Sequence, residues 1–524
     1  MINYSCQNLL SQIKRDSEEF NYIYDGTLLK SITQKGILNQ TIKIEYNSDF
    51  LAKSLEYSNK NFTIDYDSDG RVVKVGDFTI EYRGKSVITK DANYSKKIRL
   101  NGYGEVEKSK DKIFSFTLKR DGLGEIVKKV EKLNKKEIKS RYKYDLRGRL
   151  IEVKRGGKVV ESYSYDTNGN RLLATIYGKT YQATYNQDDQ LVKYGKFSYS
   201  YDEDGYLVSK SDGNSTTNYE YGTFGELKRV VTPTKTIEYL HNVNHQRVAK
   251  KVNGEIVEKY LWLNLTTLLA IYDKDDNLVW RFEYADSRMP MTMRDINGTK
   301  YYLHYDQVGS LRAVSNQNGE LLKEIVYDTF GNIIADSNTS LKVPFGFAGG
   351  LYDSDTKLVR FGFRDYDPFT GRWTAKDPIL FNGEDTNLYG YVLGDPVGLV
   401  DINGLCVSAS APAYEKIAFG VCPKFTKEEI RLAWIKGIEN LKTISILGTY
   451  GGIVTGQARV VGIFFLSGYF CELALNNLKS QSNEKLYRHL YIDMAVTGTS
   501  ILIDQRFPQV EFFIRLIIKK VSDH

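Results

Sequence analysis

One pattern recurs so regularly that it decides what this chain can fold into: Tyr-Asp, two further residues, Gly, one residue and then Leu or Val. YDSDGRV begins at Tyr66, YDLRGRL at Tyr144, YDTNGNRL at Tyr165, YDEDGYL at Tyr201, YGTFGEL at Tyr221, YDQVGSL at Tyr305 and YDTFGNI at Tyr327. YNQDDQL at Tyr185 and YDKDDNL at Tyr272 are degenerate copies without the Gly. Repetition at a short period means a row of like units, each burying its apolar face against the next.

Each copy reads as a hairpin turn. Tyr closes one strand, Asp and the polar residues turn the chain, and Gly takes the left-handed position where a side chain would clash. The Leu or Val two residues later points back to the apolar face of the returning strand. Starts at Tyr144, Tyr165, Tyr185, Tyr201 and Tyr221 lie about 20 residues apart, room for two ordinary strands and two turns. The stretches between, such as ESYSYD and NYEYG, alternate aromatic or β-branched with polar residues, as in a half-buried antiparallel sheet.

Composition agrees. Tyr accounts for 39 of 524 residues and Pro for only 9, which suits sheets with Gly turns rather than disorder. A formal net charge of +7 is too mild to indicate a nucleic-acid partner. Cys6, Cys406, Cys422 and Cys471 form neither a disulfide framework nor a metal-ligand spacing, and no cofactor or metal motif stands elsewhere. The first twenty residues lack an uninterrupted apolar core and are not a Sec signal peptide, so export has to use another route.

From residue 301 the motifs crowd together. RFGFRDYDPFTGRWTAKDPI and the later NLYGYV…DPVGLVDINGL closely resemble the Rhs-repeat-associated core of bacterial Rhs polymorphic toxins and insecticidal toxin-complex C proteins. With the upstream repeats, the resemblance covers about residues 60 to 405. It implies a hollow β shell around a C-terminal toxin, closed by an aspartyl autoprotease that cuts after a DPxGL-type motif. The matching element is Asp401 to Leu405, which places the scissile bond at Leu405–Cys406. Ile402 stands where the commoner pattern has Pro, which loosens the turn but keeps the carboxylate. The same resemblance assigns the second aspartate to Asp377 and the partner arginine to Arg364.

The chemistry of the residues is compatible. Asp401 lies about 13 Å from the bond if the chain is extended, so the chain has to fold back, and Asn403-Gly404 is a pair that permits the turn. Hydrolysis by carboxylates needs one protonated and one ionised group, and an arginine can hold one ionised by pairing. The Asp-Pro steps at Asp367, Asp377 and Asp395 also have an ordinary reading as strand-ending turns; Asp367 and Asp395 are kept as such.

After Leu405 the character changes, with only 5 of the 39 tyrosines remaining. Thr426 reads as a helix N-cap before Glu428 and Glu429, with Ile430, Trp434, Ile438 and Leu441 on one stripe. The domain reads as mostly α. Gly448, Gly452 and Gly456 form a small-xxx-small run suited to helix contact in a bilayer. Gln457 and Arg459 interrupt it, a central Arg costing about 2.5–3.5 kcal/mol on insertion, and neither apolar half reaches the roughly 20 residues of a span. A buried helical hairpin and a membrane-active segment both stay open. An enzymatic tail would have to rest on His489, flanked by Tyr487, Arg488, Tyr491 and Asp493, or on Cys406 as a new N-terminal nucleophile.

The sequence therefore predicts a mainly antiparallel β protein: a shell start at 1–60, repeats at 61–300, the core at 301–405 and a helical effector at 406–524. Its function reads as a toxin that releases its effector by autoproteolysis and is exported without a Sec signal. An immunity protein and a secretion apparatus or chaperone would be its partners. Two other readings stand: a cell-surface or adhesive repeat protein with a C-terminal anchor, and an inactive C-terminal fragment of a larger Rhs protein. The shell is short for the family, and no PAAR-like delivery domain precedes the repeats.

Overall fold

The computed structural model describes residues 2–409, apart from 5–8, 16–17, 224 and 384. The described chain is mainly antiparallel β, dominated by one 34-stranded sheet. The tail expected to be helical, with Gly448, Gly452 and Gly456, and also His489, Cys6, Cys422 and Cys471, lie outside the described residues.

The repeats do what their spacing requires. Strands Lys60–Tyr66, Lys136–Tyr144, Lys158–Tyr165, Lys179–Tyr185 and Leu321–Tyr327 all end on the motif tyrosine. In the turn after Tyr144, the Arg147 and Arg149 amides both donate to Asp145 Oδ1 at 2.9 Å. The Gly148 amide donates to the Asp145 carbonyl at 2.9 Å, and Gly148 has φ +74°. A short polar side chain can thus supply the turn with the acceptor it needs.

Two details depart from the sequence reading. The Gly position is set by a positive φ in every copy that has it and by crowding in only some: at Gly70 (φ +75°) and Gly169 (φ +87°) an added Cβ would meet nothing within 4 Å, whereas at Gly331 it would lie 2.2 Å from the Phe347 ring. Asp189 and Asp276 accordingly take that place in the degenerate copies, at φ +59° and +64°, since Asp tolerates the left-handed region better than most residues. The second departure is in YDTNGNRL. There the inward position after Gly is Arg171, which is buried, while Leu172 points out. The period of two assigns the face, whatever side chain happens to stand there.

Every pairing within the large sheet joins consecutive strands, from Ile2–Tyr4 with Leu10–Arg15 through to Leu321–Tyr327 with Ile333–Asp336. The hairpins are also tied to one another by their tyrosines. Tyr66 donates its hydroxyl to the Ala52 carbonyl, Tyr144 to Ile126, Tyr165 to Leu150 and Tyr185 to Arg171, at 2.8 to 2.9 Å. Each acceptor opens the strand that follows the preceding turn.

This ribbon winds on itself. Side chains of its first part bond to a second part 168 to 225 residues later, as in Tyr57 with the Phe282 carbonyl and Glu161 with the Thr329 amide. Between those limits lie Asp111 with His304 and Glu131 with Arg312.

Beyond Asp336 the chain leaves the sheet and packs back against it. Arg372 donates to Asn170 at 2.8 Å, Tyr389 to the Gly205 carbonyl at 2.7 Å and Arg247 to Asp365 at 2.9 Å. Phe361, Tyr366, Trp373 and Tyr391 form the aromatic centre of this segment, with Tyr366 and Tyr391 ring centroids 4.3 Å apart.

Candidate active site

Strands Leu351–Tyr352, Val359–Phe361, Arg364–Asp367 and Arg372–Trp373 make a small antiparallel sheet. Arg364 opens its third strand, with its guanidinium 4.2 Å from the centroid of the Trp373 ring. Packing on an aromatic face and a rigid strand fixes the direction of the guanidinium fork.

That fork brings together the two aspartates singled out in the sequence. Arg364 Nη2 lies 2.9 Å from Asp377 Oδ2 and 3.2 Å from Asp401 Oδ2. The same side chain donates through Nε to the Gly404 carbonyl and through Nη1 to the Leu388 carbonyl at 3.3 Å. All three charged residues are buried.

The segment carrying the bond after Leu405 is a closed loop. Leu399 and Val400 pair with Ala409 and Ser408, so the chain returns alongside the strand it has just left. Inside the loop, Asp401 Oδ1 accepts from the amides of Gly404 (2.8 Å), Leu405 (3.1 Å) and Cys406 (3.2 Å). The nitrogen of the Leu405–Cys406 bond is thus within hydrogen-bond reach of Asp401. Asn403 and Gly404 make the turn that permits this. The Asn403 carbonyl accepts from Phe363 at 2.8 Å, and Gly404 sits at φ +73°. A Cβ there would lie 2.3 Å from the Phe361 carbonyl oxygen. Ile402, the departure from the family pattern, packs on the aromatic cluster.

Asp377 approaches the other side of the bond. A Cβ added to Gly383 would sit 2.8 Å from Asp377 Oδ2 and 2.9 Å from the Leu405 carbonyl oxygen. Gly383 therefore leaves open the space between carboxylate and carbonyl, a role its sequence did not announce. Asp377 also makes the ordinary turn bond to the Ile379 amide at 2.9 Å, as Asp367 does to Phe369 and Asp395 to Val397. Of these three, Asp377 is the one that also reaches Arg364.

Burial dominates the electrostatics. It pushes Asp377 up to about 6, against the pull of Arg364, and it raises Asp401 as well, against Arg364 and the three amides. Two carboxylates facing one guanidinium carry a net charge of −1 when both are ionised, so a single shared proton makes the group neutral. Asp385, overlooked in the sequence, adds a third carboxylate that acts on Asp377 and is itself raised by burial. Its only signal was its place inside the dense motif run. The cysteine reading needs one correction: Cys406 is disulfide-bonded, which spacing alone could not reveal.

The repeat region is similar to known proteins. The family model described as Teneurin YD-shell matches residues 3–397. Teneurin-3 of Mus musculus is 25% identical over 548 residues, covering 92% of this chain and 20% of teneurin-3. The tRNA3(Ser)-specific nuclease WapA of Bacillus spizizenii is 31% identical over 282 residues, covering 50% of this chain and 12% of WapA. The chain thus spans a fifth or less of these relatives. The crystal structure of TcdB2-TccC3-TEV matches with a TM-score of 0.38 and 14% identity, over 77% of this chain and 27% of that one.

Proposed function

The chain belongs to the teneurin YD-shell family of YD/Rhs repeat proteins, and from that premise we propose that it is a toxin-type shell protein which cuts itself after Leu405. The observation that carries the reading is the bridge of Arg364 between Asp377 and Asp401, with Asp401 holding the Cys406 amide inside a closed loop. In the proposed step, ionised Asp377 takes a proton from a water whose oxygen bonds to the Leu405 carbonyl carbon. Protonated Asp401 delivers its proton to the Cys406 nitrogen as the carbon–nitrogen bond breaks. Arg364 offsets the one remaining negative charge throughout.

The released piece, residues 406–524, is a mostly helical effector in this proposal, with a membrane-active segment and a buried helical hairpin as its two readings. The WapA likeness supports a toxin over other shell functions. An immunity protein and a secretion or chaperone partner belong to the same proposal. The teneurin likeness favours a second reading, an adhesive shell whose tail is an anchor and which needs no cut.

Intact-mass spectra of the denatured and reduced full chain separate the two. Reduction is required because Cys406 is disulfide-bonded. The toxin reading expects pieces ending at Leu405 and beginning at Cys406 in the wild type, and an uncut chain in Asp401→Asn. An uncut wild type, or equal cutting in both, overturns the aspartyl mechanism.

A further inference from the structure

Behind the cleavage loop lies a cavity of about 40 Å³, lined among others by Arg247, Arg288, Arg360, Gly362 and Ile402. Three arginines line it, and one carboxylate is in contact with two of them. Asp365 takes Arg247 at 2.9 Å and Arg360 at 2.7 Å. Arg288 donates to the carbonyls of Val308 (2.6 Å) and Ala348 (2.9 Å) and pairs with no carboxylate among the described residues. Glu226 and Asp353 act on Arg360 and Arg247 from farther off, and Asp353 is already engaged by Lys250 at 2.9 Å.

Several donors are also left over. Arg360 Nε and Nη2 and Arg247 Nε are buried and have no hydrogen-bond partner among the described residues. Buried donors and unpaired buried charge are both expensive, and Arg247 and Arg360 are each about 95% or more buried. A ligand of opposite charge that accepts hydrogen bonds removes both penalties. The volume, enough for a few water-sized atoms, fits a small oxyanion.

We propose that this cavity binds a small free oxyanion of phosphate or sulfate size, held by Arg247, Arg288 and Arg360. Because Gly362 and Ile402 share its wall, the anion would sit beneath the loop that carries Leu405, whether or not that loop is cut.

The test is thermal unfolding of the full chain in rising inorganic phosphate, against a gluconate series of matched ionic strength. The expected result is a Tm that rises by about 1–2 °C for each tenfold increase in phosphate above its dissociation constant. Arg360→Gln should abolish the rise. Arg288→Gln should do the same without disturbing Asp365, and so covers the case in which the first variant folds poorly. A wild type no more responsive to phosphate than to gluconate overturns the proposal, as does an equal response in Arg288→Gln. Lower stability in both variants with no phosphate response in the wild type would mean that a carboxylate of the chain itself occupies the cavity, which also overturns it.

Discussion

The cleavage loop should fail in a graded way when Gly404 acquires a side chain, and Gly404→Val makes the failure measurable. Two hydrogen bonds seat the Asn403–Gly404 turn of the loop, Phe363 to the Asn403 carbonyl and Arg364 to the Gly404 carbonyl, and it is this turn that valine lifts. Together they are worth about 2–4 kcal/mol, the second being charge-assisted. Valine at φ +73° costs about 2 kcal/mol in backbone strain. Its Cβ would also lie 2.3 Å from the Phe361 oxygen and 2.8 Å from the Arg364 nitrogen, backbone atoms that cannot rotate away. Overpacking of that kind adds about 3 kcal/mol. The seated form then lies about 2 kcal/mol above a lifted one, so about one molecule in thirty keeps the scissile bond against Asp401 at any moment. Cleavage should slow about thirtyfold. Gly70→Val is the control, with nearly the same φ (+75°) and nothing within 4 Å; it should lose stability and cut at the wild-type rate. Newly translated chain, quenched in denaturant at intervals and resolved on a reducing gel, gives both rates. A Gly404→Val chain that cuts within threefold of wild type would refute the reasoning.

Three further outcomes are expected. Gly331→Val should lower the Tm by about 2–4 °C more than Gly169→Val, because at nearly equal φ its Cβ would meet the Phe347 ring at 2.2 Å where Gly169 meets nothing; equal losses by calorimetry would mean that the ring moves freely. Cleavage of urea-unfolded chain on refolding should speed up about tenfold between pH 5 and pH 7, as Asp377, pushed up to about 6, gives up its proton and becomes a base; a rate that falls over this range would reverse the roles of the two aspartates. Residues 406–524 expressed inside cells should dissipate membrane potential, with Gly452→Leu weakening the effect more than His489→Ala; normal growth with the protein present on a blot would move the weight to the anchor or fragment readings.

The sequence was most legible where one residue's role follows from local geometry. A tyrosine before Asp-x-x-Gly must end a strand, and it does at Tyr144, Tyr165 and Tyr327. The pairing of Arg364 with Asp377 and Asp401 was approached through a family pattern, since nothing local joins residues so far apart in the chain. What stayed hidden depends on the stagger between units. The hydroxyl of Tyr165 reaches the Leu150 carbonyl only because adjacent hairpins are offset by a fixed amount. The contact of Glu161 with Thr329 depends on how tightly the ribbon winds. Gly383 gave no signal, and Asp385 none beyond its place in the motif run, because their importance lies in what stands opposite them. Arg171 could have been found by counting two from Gly169 rather than by looking for the leucine.

The strictly sequential pairing of strands also sets an order of events. Each hairpin needs only its neighbour, so the ribbon can zip up as it emerges, through contacts close in sequence that form quickly. The segment from Phe345 onward is different, because its anchors are Asn170 and Gly205 in turns and Arg247 on a strand, all made long before it. Arg364, Asp377 and Asp401 meet only after those anchors stand ready to receive them. The bond after Leu405 therefore comes near the two carboxylates only once the segment from Phe345 onward has docked on the wound ribbon.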